Sequence, residues 1–284
     1  MTIFNCAIYK TPLQIQLITT SKCNRRCEWC IEKENMQRKY DECGDKYIGN
    51  LCLLLTELNN NKIPYNIVLT GGEPTVNERL VLRILEVCEE LMPETHRCHS
   101  SDNHKETKAY KLGINSNGDD AASPIYKHAR LNYIDISFID RMRMAGEYNE
   151  NKPIRLQTVY RKSVFADIKS VMQFINSAID CGYDSILFRQ LIGEHPDKKD
   201  IFGLEKEISG MEQFAFRDYQ INVYDLWVQY LYRNRHVYFK RQDLNAQVLF
   251  ERINRENISS LVIWPDGTIT KSWDFANKLV WPAL

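Results

Sequence analysis

Short apolar runs alternate with helical stretches over the first two thirds of the chain. Each run of five to seven residues is rich in Ile, Leu and Val and is followed by a polar turn. The runs that we predict as strands are residues 13–19, 65–70, 111–115, 133–138, 154–159 and 184–189. Because strands that alternate with helices form parallel sheets with crossover helices, this pattern predicts an α/β fold.

The segments between these runs have helical spacing. One predicted helix covers residues 48–58, and a second begins near Thr75 or Asn77. A third carries an apolar stripe from Phe165 to Ile179 and stops before Gly182, a residue type that commonly follows the last turn of a helix. Six β/α units within residues 1–190 predict a partial, TIM-like (β/α)6 barrel rather than a closed barrel of eight units.

The regular alternation of short strands and helices ends after residue 190. We predict that residues 191–284 form a C-terminal extension or lid on the 1–190 core, containing a helix and a β-hairpin. The helix is expected at residues 212–233, and the hairpin at 261–270, where a turn sequence separates two β-prone runs. The polar stretch at residues 94–108 is expected to be a surface insertion.

Composition and charge narrow the class of protein. With 44% hydrophobic and 26% charged residues the chain has the composition of a soluble globular protein. The net charge of zero argues against general nucleic-acid binding, and no apolar run reaches the roughly 18 residues of a membrane span. No signal peptide is evident, and nine scattered cysteines favour a reducing compartment, so we expect a cytoplasmic protein without a membrane partner.

Three of the cysteines form a compact motif directly after the first predicted strand. Cys23, Cys27 and Cys30 have the spacing C-x3-C-x2-C. Three thiolates on one loop can hold three irons of a [4Fe-4S] cluster and leave the fourth iron open to a small molecule. A zinc site is the alternative, but structural zinc needs four ligands, usually in two pairs, and no second pair is present.

Other polar residues lie at the carboxyl ends of the later strands, where ligands bind in α/β sheets and barrels. Each of them alone is equally compatible with an ordinary turn or a core hydrogen bond. The candidates are Gly71, Gly72 and Glu73 after strand two, Asn115, Ser116 and Asn117 at strand three, Ser137 in strand four, Gln157 in strand five and Arg189 in strand six.

The cysteine motif, with Gly-Gly-Glu one strand later, resembles the radical S-adenosylmethionine (radical SAM) enzymes over roughly residues 13–190. The resemblance implies that Cys23, Cys27 and Cys30 hold one [4Fe-4S] cluster. It also implies that Trp29 lies near the adenine of SAM, that Gly71-Gly72-Glu73 contacts the methionine amino group, and that Ser137 lies near the ribose.

Asn117-Gly118 after strand three, Gln157 and Arg189 resemble the branch of that family containing the molybdopterin-pathway GTP cyclase. That enzyme has a second, C-terminal cysteine triplet, whereas Cys181 is the last cysteine here. A second cluster is therefore not expected.

The resemblance further implies an oxygen-sensitive enzyme that reductively cleaves SAM to a 5′-deoxyadenosyl radical. A flavodoxin- or ferredoxin-like donor would supply the electron, and the radical would abstract a hydrogen from a polar small molecule, nucleotide-like ones included. Two alternatives stay open: a maturase of a ribosomal peptide, and a non-catalytic Fe-S or zinc protein. Candidates for a substrate pocket are the cations Arg25, Arg26, Arg141, Arg143 and Arg189 and the aromatic residues Tyr224, Trp227, Tyr230, Trp264 and Trp273.

Overall fold

The structure is a computed structural model, and it describes residues 2–3, 6–8, 12–30, 44–99, 106–191, 196–221, 225–242, 257–258 and 260–271. Tyr224 and Trp273 lie outside these ranges. Four α-helices are present in the described residues: α1 Gly44–Asn60, α2 Glu78–Leu91, α3 Ile168–Asp180 and α4 Ile201–Ser209.

Sixteen strands accompany the helices in the same residues. They are β1 Thr2–Ile3, β2 Cys6–Ile8, β3 Leu13–Ile18, β4 Tyr65–Thr70, β5 His96–His99, β6 Glu106–Ala109, β7 Leu112–Ser116, β8 Tyr133–Ser137, β9 Ile154–Tyr160, β10 Ser185–Gln190, β11 Ala215–Ile221, β12 Asp225–Tyr232, β13 Arg235–Gln242, β14 Asn257–Ile258, β15 Ser260–Ile263 and β16 Ile269–Thr270.

One sheet of eleven strands dominates the fold, in the order β11-β12-β13-β10-β9-β8-β7-β4-β3-β15-β16. Its six consecutive strands β3, β4, β7, β8, β9 and β10 all pair in parallel. These are the six strands expected from the sequence, each within one residue at both ends. The sheet confirms the α/β class and is consistent with the partial, TIM-like barrel.

The two faces of the parallel strands differ in polarity. Residues such as Ile15, Ile67 and Ile114 are fully buried in one large core with the apolar faces of α1, α2 and α3. Period-two alternation places a polar series on the opposite face, which we call the inner face. Its members include Asn115, Asp135, Ser137, Arg155, Gln157 and Arg189.

Helix α3 shows how local sequence sets the ends of an element. Asp167 is its N-cap and accepts a hydrogen bond from the Ser170 backbone N–H, while Ser170 reciprocates toward the N-cap N–H. At the other end, Gly182 has a φ of +86°, the left-handed conformation that terminates many helices. The predicted stop at Gly182 is thus confirmed.

The predicted helix at residues 212–233 is wrong. The segment contains β11 and β12, and β12 continues into β13 through a two-residue turn in which Arg233 and Asn234 both have positive φ. In β12 the alternation has period two: Val228, Tyr230 and Tyr232 pack on the core, while Trp227 and Gln229 face the other way. Aromatic and β-branched residues favour strands, and this preference explains why the segment forms strands instead of the predicted helix. The helix of the extension is α4, capped by Asp200.

The rest of the extension also joins the main sheet. Strand β13 pairs in parallel with β10, and β15 pairs in parallel with β3. Strands β15 and β16 form the predicted hairpin, with Gly267 in its turn at a φ of +80°. The expected surface insertion contains β5 and β6, which pair with each other in a separate two-stranded sheet. No helix in the described ranges is long and apolar enough to cross a membrane.

Candidate active site at the carboxyl ends of the parallel strands

The cysteine loop follows β3 directly, at the carboxyl edge of the sheet. Cys23, Cys27 and Cys30 form no disulfide and are half-buried. A turn in which the Cys30 N–H donates to the Cys27 carbonyl, at 3.2 Å, closes the loop. Burial raises the pKa of the Cys23 and Cys27 thiols, so metal binding there must displace protons.

Three thiols on one loop are the donor set that a [4Fe-4S] cluster with an open iron requires. Within the described ranges no three Cys, His, Asp or Glu side chains are already assembled as a metal site. The loop therefore has the right donors and would have to draw its thiols together around a cluster.

Arg25 ties the cysteine loop to the loops after β7 and β8. Its Nε and Nη2 each donate to one oxygen of Asp119 at 2.6 Å, and its Nη1 donates to Asp140 Oδ2 at 2.6 Å. Asn24 adds a 3.2 Å bond to the same Asp119 carboxylate. Such forked Arg–carboxylate pairs fix geometry as well as charge. We call this group the Arg25 latch, and Arg25 lowers the pKa of the Asp119 carboxyl.

The latch changes the interpretation of the neighbouring arginines. Arg141 also donates to Asp119, at 3.3 Å, and Arg143 donates to Glu147 at 3.2 Å. Their guanidinium groups are thus engaged by protein carboxylates, although Arg25, Arg141 and Arg143 line one cavity, and Arg26 is exposed. Of the five cations proposed from the sequence, only Arg189 lies on the inner face.

Gly71 and Gly72 allow close contact between two loops. The Gly72 N–H donates to the Thr20 carbonyl at 2.9 Å, and the Glu73 N–H donates to the Lys22 carbonyl at 2.8 Å. A Cβ on Gly72 would lie 2.0 Å from the Lys22 oxygen, and one on Gly71, at a φ of +121°, would lie 2.8 Å from the Thr20 oxygen. The two glycines are therefore needed to hold the backbone of the cysteine loop against the end of β4.

Glu73 holds the end of β4 against the end of β7 through hydrogen bonds that we call the Glu73 brace. Only 1% of the residue is exposed, and its Oε1 accepts hydrogen bonds from Ser116 Oγ at 2.7 Å and from Thr75 N and Oγ1 at 3.1 and 3.0 Å. Its Oε2 accepts from the Asn117 N–H at 2.7 Å. Burial raises the pKa of Glu73, while these hydrogen bonds act in the opposite direction. Contact between this loop and a methionine amino group stays a prediction, since both carboxylate oxygens already have protein donors.

The Asn115-Ser116-Asn117 segment takes part in two features. Ser116 and Asn117 donate to Glu73, and Asn115 lies on the inner face. Ser116 Oγ lies 2.7 Å from the Tyr126 hydroxyl, and Asn117 Nδ2 donates to Asn24 Oδ1 at 2.6 Å, which links the segment to the cysteine loop. Asn115 Oδ1, in contrast, is buried and accepts no hydrogen bond in the part of the chain described. A buried acceptor without a donor is costly, so a bound ligand is a natural partner for it.

Ser137, Gln157 and Arg189 form a polar chain across three adjacent strands. Gln157 Nε2 donates to Ser137 Oγ at 3.0 Å, and Arg189 Nη1 donates to Gln157 Oε1 at 3.4 Å. The structure thus brings together the candidates that the sequence placed on strands four, five and six.

Arg161 is a residue of the site that sequence reasoning missed. It directly follows β9, is only 4% exposed, and its guanidinium carbon lies 3.4 Å from the centre of the Trp29 ring. This is a close cation–π contact on the aromatic residue next to Cys30. Burial lowers the pKa of Arg161. Its position immediately after a strand, like that of the other candidates, was the signal that could have identified it.

A family model described as a 4Fe-4S single cluster domain matches residues 15–161. That range includes the cysteine loop, the Glu73 brace and the Arg25 latch. The chain belongs to this family. None of the curated proteins matches the chain.

Several solved structures share the fold of this chain. SuiB from Streptococcus suis is 12% identical, with a TM-score of 0.51 for the structure bound to S-adenosylmethionine and 0.53 for a second structure. The match covers 93% of this chain but about three fifths of SuiB, 59% and 61% in the two structures. The structure of anSMEcpe with AdoMet bound is 13% identical, with a TM-score of 0.50, and the match covers 94% of this chain and 74% of that one.

At these identities the solved structures establish the fold alone. The family match confirms the predicted [4Fe-4S] cluster domain. The shared fold is consistent with the prediction of a radical SAM enzyme.

Proposed function

We propose that Cys23, Cys27 and Cys30 hold the [4Fe-4S] cluster and that the enzyme uses SAM to start a radical reaction on a polar small molecule. The observation that carries the proposal is the position of the cysteine loop, with three cysteines outside any disulfide, at the carboxyl edge of the sheet. It is fixed there by the Arg25 latch and by the backbone bonds to Gly72 and Glu73. A loop held at two points can keep its thiols at the strand ends where ligands bind.

SAM would occupy the inner face beside this loop. Asn115 Oδ1 offers a buried acceptor for a ligand N–H or O–H, and the Ser137–Gln157 pair offers further polar atoms. Trp29, held by Arg161, provides a flat surface for the adenine. When bound at the cluster, SAM supplies the 5′-deoxyadenosyl group that removes a hydrogen atom from the substrate.

The protein residues contribute placement and charge. The Glu73 brace and the Arg25 latch hold the ends of β4, β7 and β8 in register with the cysteine loop. Arg161 places a cation beside Trp29 and near Cys27. We propose a flavodoxin- or ferredoxin-like protein as the electron donor, because a single cluster at a half-exposed loop needs an external reductant.

The two alternative functions, a peptide maturase and a non-catalytic protein, differ from the proposed one in substrate and in SAM turnover. A peptide maturase would use the same cofactor chemistry, so only the substrate separates it from the proposed function. A non-catalytic Fe-S or zinc protein would not turn over SAM.

The deciding experiment is anaerobic reconstitution followed by reduction with dithionite in the presence of SAM. We expect a brown protein with about four irons per chain that releases 5′-deoxyadenosine. Cys27→Ala should lose the iron and the product together, whereas Cys52→Ala, at a cysteine on α1 far from the loop in sequence, should keep both. Reconstitution that yields zinc without iron would contradict the proposal.

A further inference from the structure

The inner face of the barrel continues onto the C-terminal extension. Arg189 on β10 lies directly beside Lys240 on β13, and Lys240 lies directly beside Trp227 on β12. Because β13 is parallel to β10, both cations are near the carboxyl edge of the sheet. The three side chains, all half-buried, therefore extend the polar chain of Ser137, Gln157 and Arg189 sideways by two strands.

Cationic and aromatic groups surround the ring of Trp227, and they favour contact with a flat, electron-rich group of a ligand. The Lys240 ammonium and the Arg155 guanidinium carbon each lie 5.7 Å from its ring centre, and the Tyr238 ring centre is 5.2 Å away. Arg155 is ion-paired with the buried Asp135 carboxylate. Arg189 and Lys240 are two further cations of this wall, and they are direct neighbours in the sheet.

A groove opens beside Trp227, on the side of the outer strands. It has a volume of about 190 Å³ and is lined by Asp218, Tyr219, Trp227, Val228, Gln229 and Tyr238. Gln229 and Asp218 are direct neighbours on β12 and β11, so amide and carboxylate groups lie on the side of Trp227 away from β10. The groove thus has aromatic and hydrogen-bonding walls, and Lys240 lies directly beside its residue Trp227 on the side toward the barrel.

We propose that this wall, formed by Arg189, Lys240 and Trp227, binds the substrate, a small molecule with a carboxylate or phosphate group and a planar ring. The anionic group lies between Arg189 and Lys240, and the ring packs on Trp227 with its polar edge toward Gln229. The inference rests on the proposed function and adds the substrate class. Charge complementarity carries it: adjacent strands are about 4.8 Å apart, so two cations in register can both contact one anionic group.

The small molecule is favoured over a peptide by the size and the position of the wall. One strand spacing separates Lys240 from Trp227, so a single compact molecule spans both. The cations also lie next to the Ser137–Gln157 pair, and a substrate held there is beside the proposed SAM site instead of along an outer strand edge.

Binding of matched probes tests the proposal. Anaerobically reconstituted protein, saturated with SAM so that the SAM site is filled, is dialysed to equilibrium against two pairs of compounds. Uridine 5′-monophosphate is compared with uridine, and orotate with uracil, so that phosphate and carboxylate are tested separately. In at least one pair we expect the anionic member to bind about tenfold more tightly, as charge-assisted hydrogen bonds imply. Ribose 5-phosphate, which lacks the ring, should bind more weakly than uridine 5′-monophosphate.

Variants test whether the tighter binding of anionic probes depends on Arg189, Lys240 and Trp227. Lys240→Gln and Arg189→Gln should each remove most of the preference for the anion, whereas Lys240→Arg should keep it because the charge remains. Trp227→Leu should weaken binding of the ring compounds and leave that of ribose 5-phosphate unchanged. Lys206→Gln, at an exposed position on α4, is the matched control and should behave as the unmodified protein does.

Three results would overturn the inference. The first is equal binding of the charged and neutral members of both pairs, and the second is a Lys240→Gln protein that matches Lys206→Gln. The third is binding of a short acidic peptide, with the same dependence on Lys240, while neither small anion binds. Cluster content and SAM cleavage are measured on the same unmodified protein. If both are intact while the probes fail, the substrate class is wrong and the proposed function stands.

Discussion

At the residue scale, Gly72 has the least room for substitution among the glycines at the site. An added Cβ would lie 2.0 Å from the Lys22 oxygen and 2.6 Å from its carbonyl carbon, both of them backbone atoms. We expect Gly72→Ala to lower the free energy of unfolding by about 2 kcal/mol or more, because the cysteine loop must move. Urea unfolding of the metal-free protein measures this.

Gly49 provides the control for that substitution. It is an exposed residue within α1, and no atom lies within 4 Å of the Cβ that alanine would add. Gly49→Ala should raise the free energy of unfolding by about 0.5–1 kcal/mol through helix propensity. Equal stability of the two variants would contradict the packing that we describe at Gly72.

Glu73 tests the brace between β4 and β7. Glu73→Gln keeps the shape but replaces one acceptor oxygen with an NH2 group that faces the donors of Asn117 or Ser116. We expect a loss of about 1–3 kcal/mol in the free energy of unfolding, as for a buried unsatisfied group, together with weaker SAM binding. Glu86→Gln, at an exposed position on α2, should change neither quantity. Unchanged stability in Glu73→Gln would rule out the brace.

Arg161 tests the electrostatics of the cluster loop. Its positive charge, close to Trp29 and Cys27, favours the reduced and more negative state of a bound cluster. Arg161→Gln should therefore lower the midpoint potential of the cluster, and Arg161→Lys should largely restore it. Potentiometry followed by electron paramagnetic resonance gives the values. A potential that is the same in all three proteins would place Arg161 in a packing role only.

At the scale of elements, the Arg25 latch makes stability depend on pH. Arg25 lowers the pKa of Asp119 from its ordinary value of 3.8, so the ionised latch stabilises the fold fully above that value. The contribution is lost as the pH falls through the lower, folded-state pKa, because the protonated carboxyl no longer pairs with Arg25. Asp119→Asn should flatten the decline in the free energy of unfolding between about pH 5 and 3. Asp180→Asn, an exposed carboxylate on α3, should leave that decline as it is. An unaltered pH profile in Asp119→Asn would refute the linkage.

The elements also show where sequence patterns were sufficient. The six parallel strands were predictable because each is a short apolar run between polar turns. The helix expected at residues 212–233 failed because a segment with many aromatic residues was assigned by composition. The alternation of Trp227, Val228, Gln229 and Tyr230 between two faces has the period of a strand, and the two-residue turn at Arg233 and Asn234 requires positive φ.

At the scale of the whole molecule, the polar residues at strand ends could be placed from sequence, but their partners could not. The rule that ligands bind at the carboxyl ends brought Glu73, Asn117 and Arg189 to one edge. The Arg25 latch instead depends on the distance between loops that are 94 residues apart in the chain. Arg161 and Lys240 were missed for the same reason, since their roles come from contacts with Trp29 and Trp227 and not from a local motif.

The pairing of strand β15 with β3 determines when the site around the cysteine loop can be complete during synthesis. It pairs in parallel with β3, whose end begins the cysteine loop, although the two strands are separated by most of the chain. Contacts this distant in sequence form slowly, and on a ribosome they form only after residues 260–263 have emerged. The loop that carries Cys23, Cys27 and Cys30 therefore lacks this neighbouring strand until residues 260–263 have been made, and a cluster inserted before that point would meet an incomplete site.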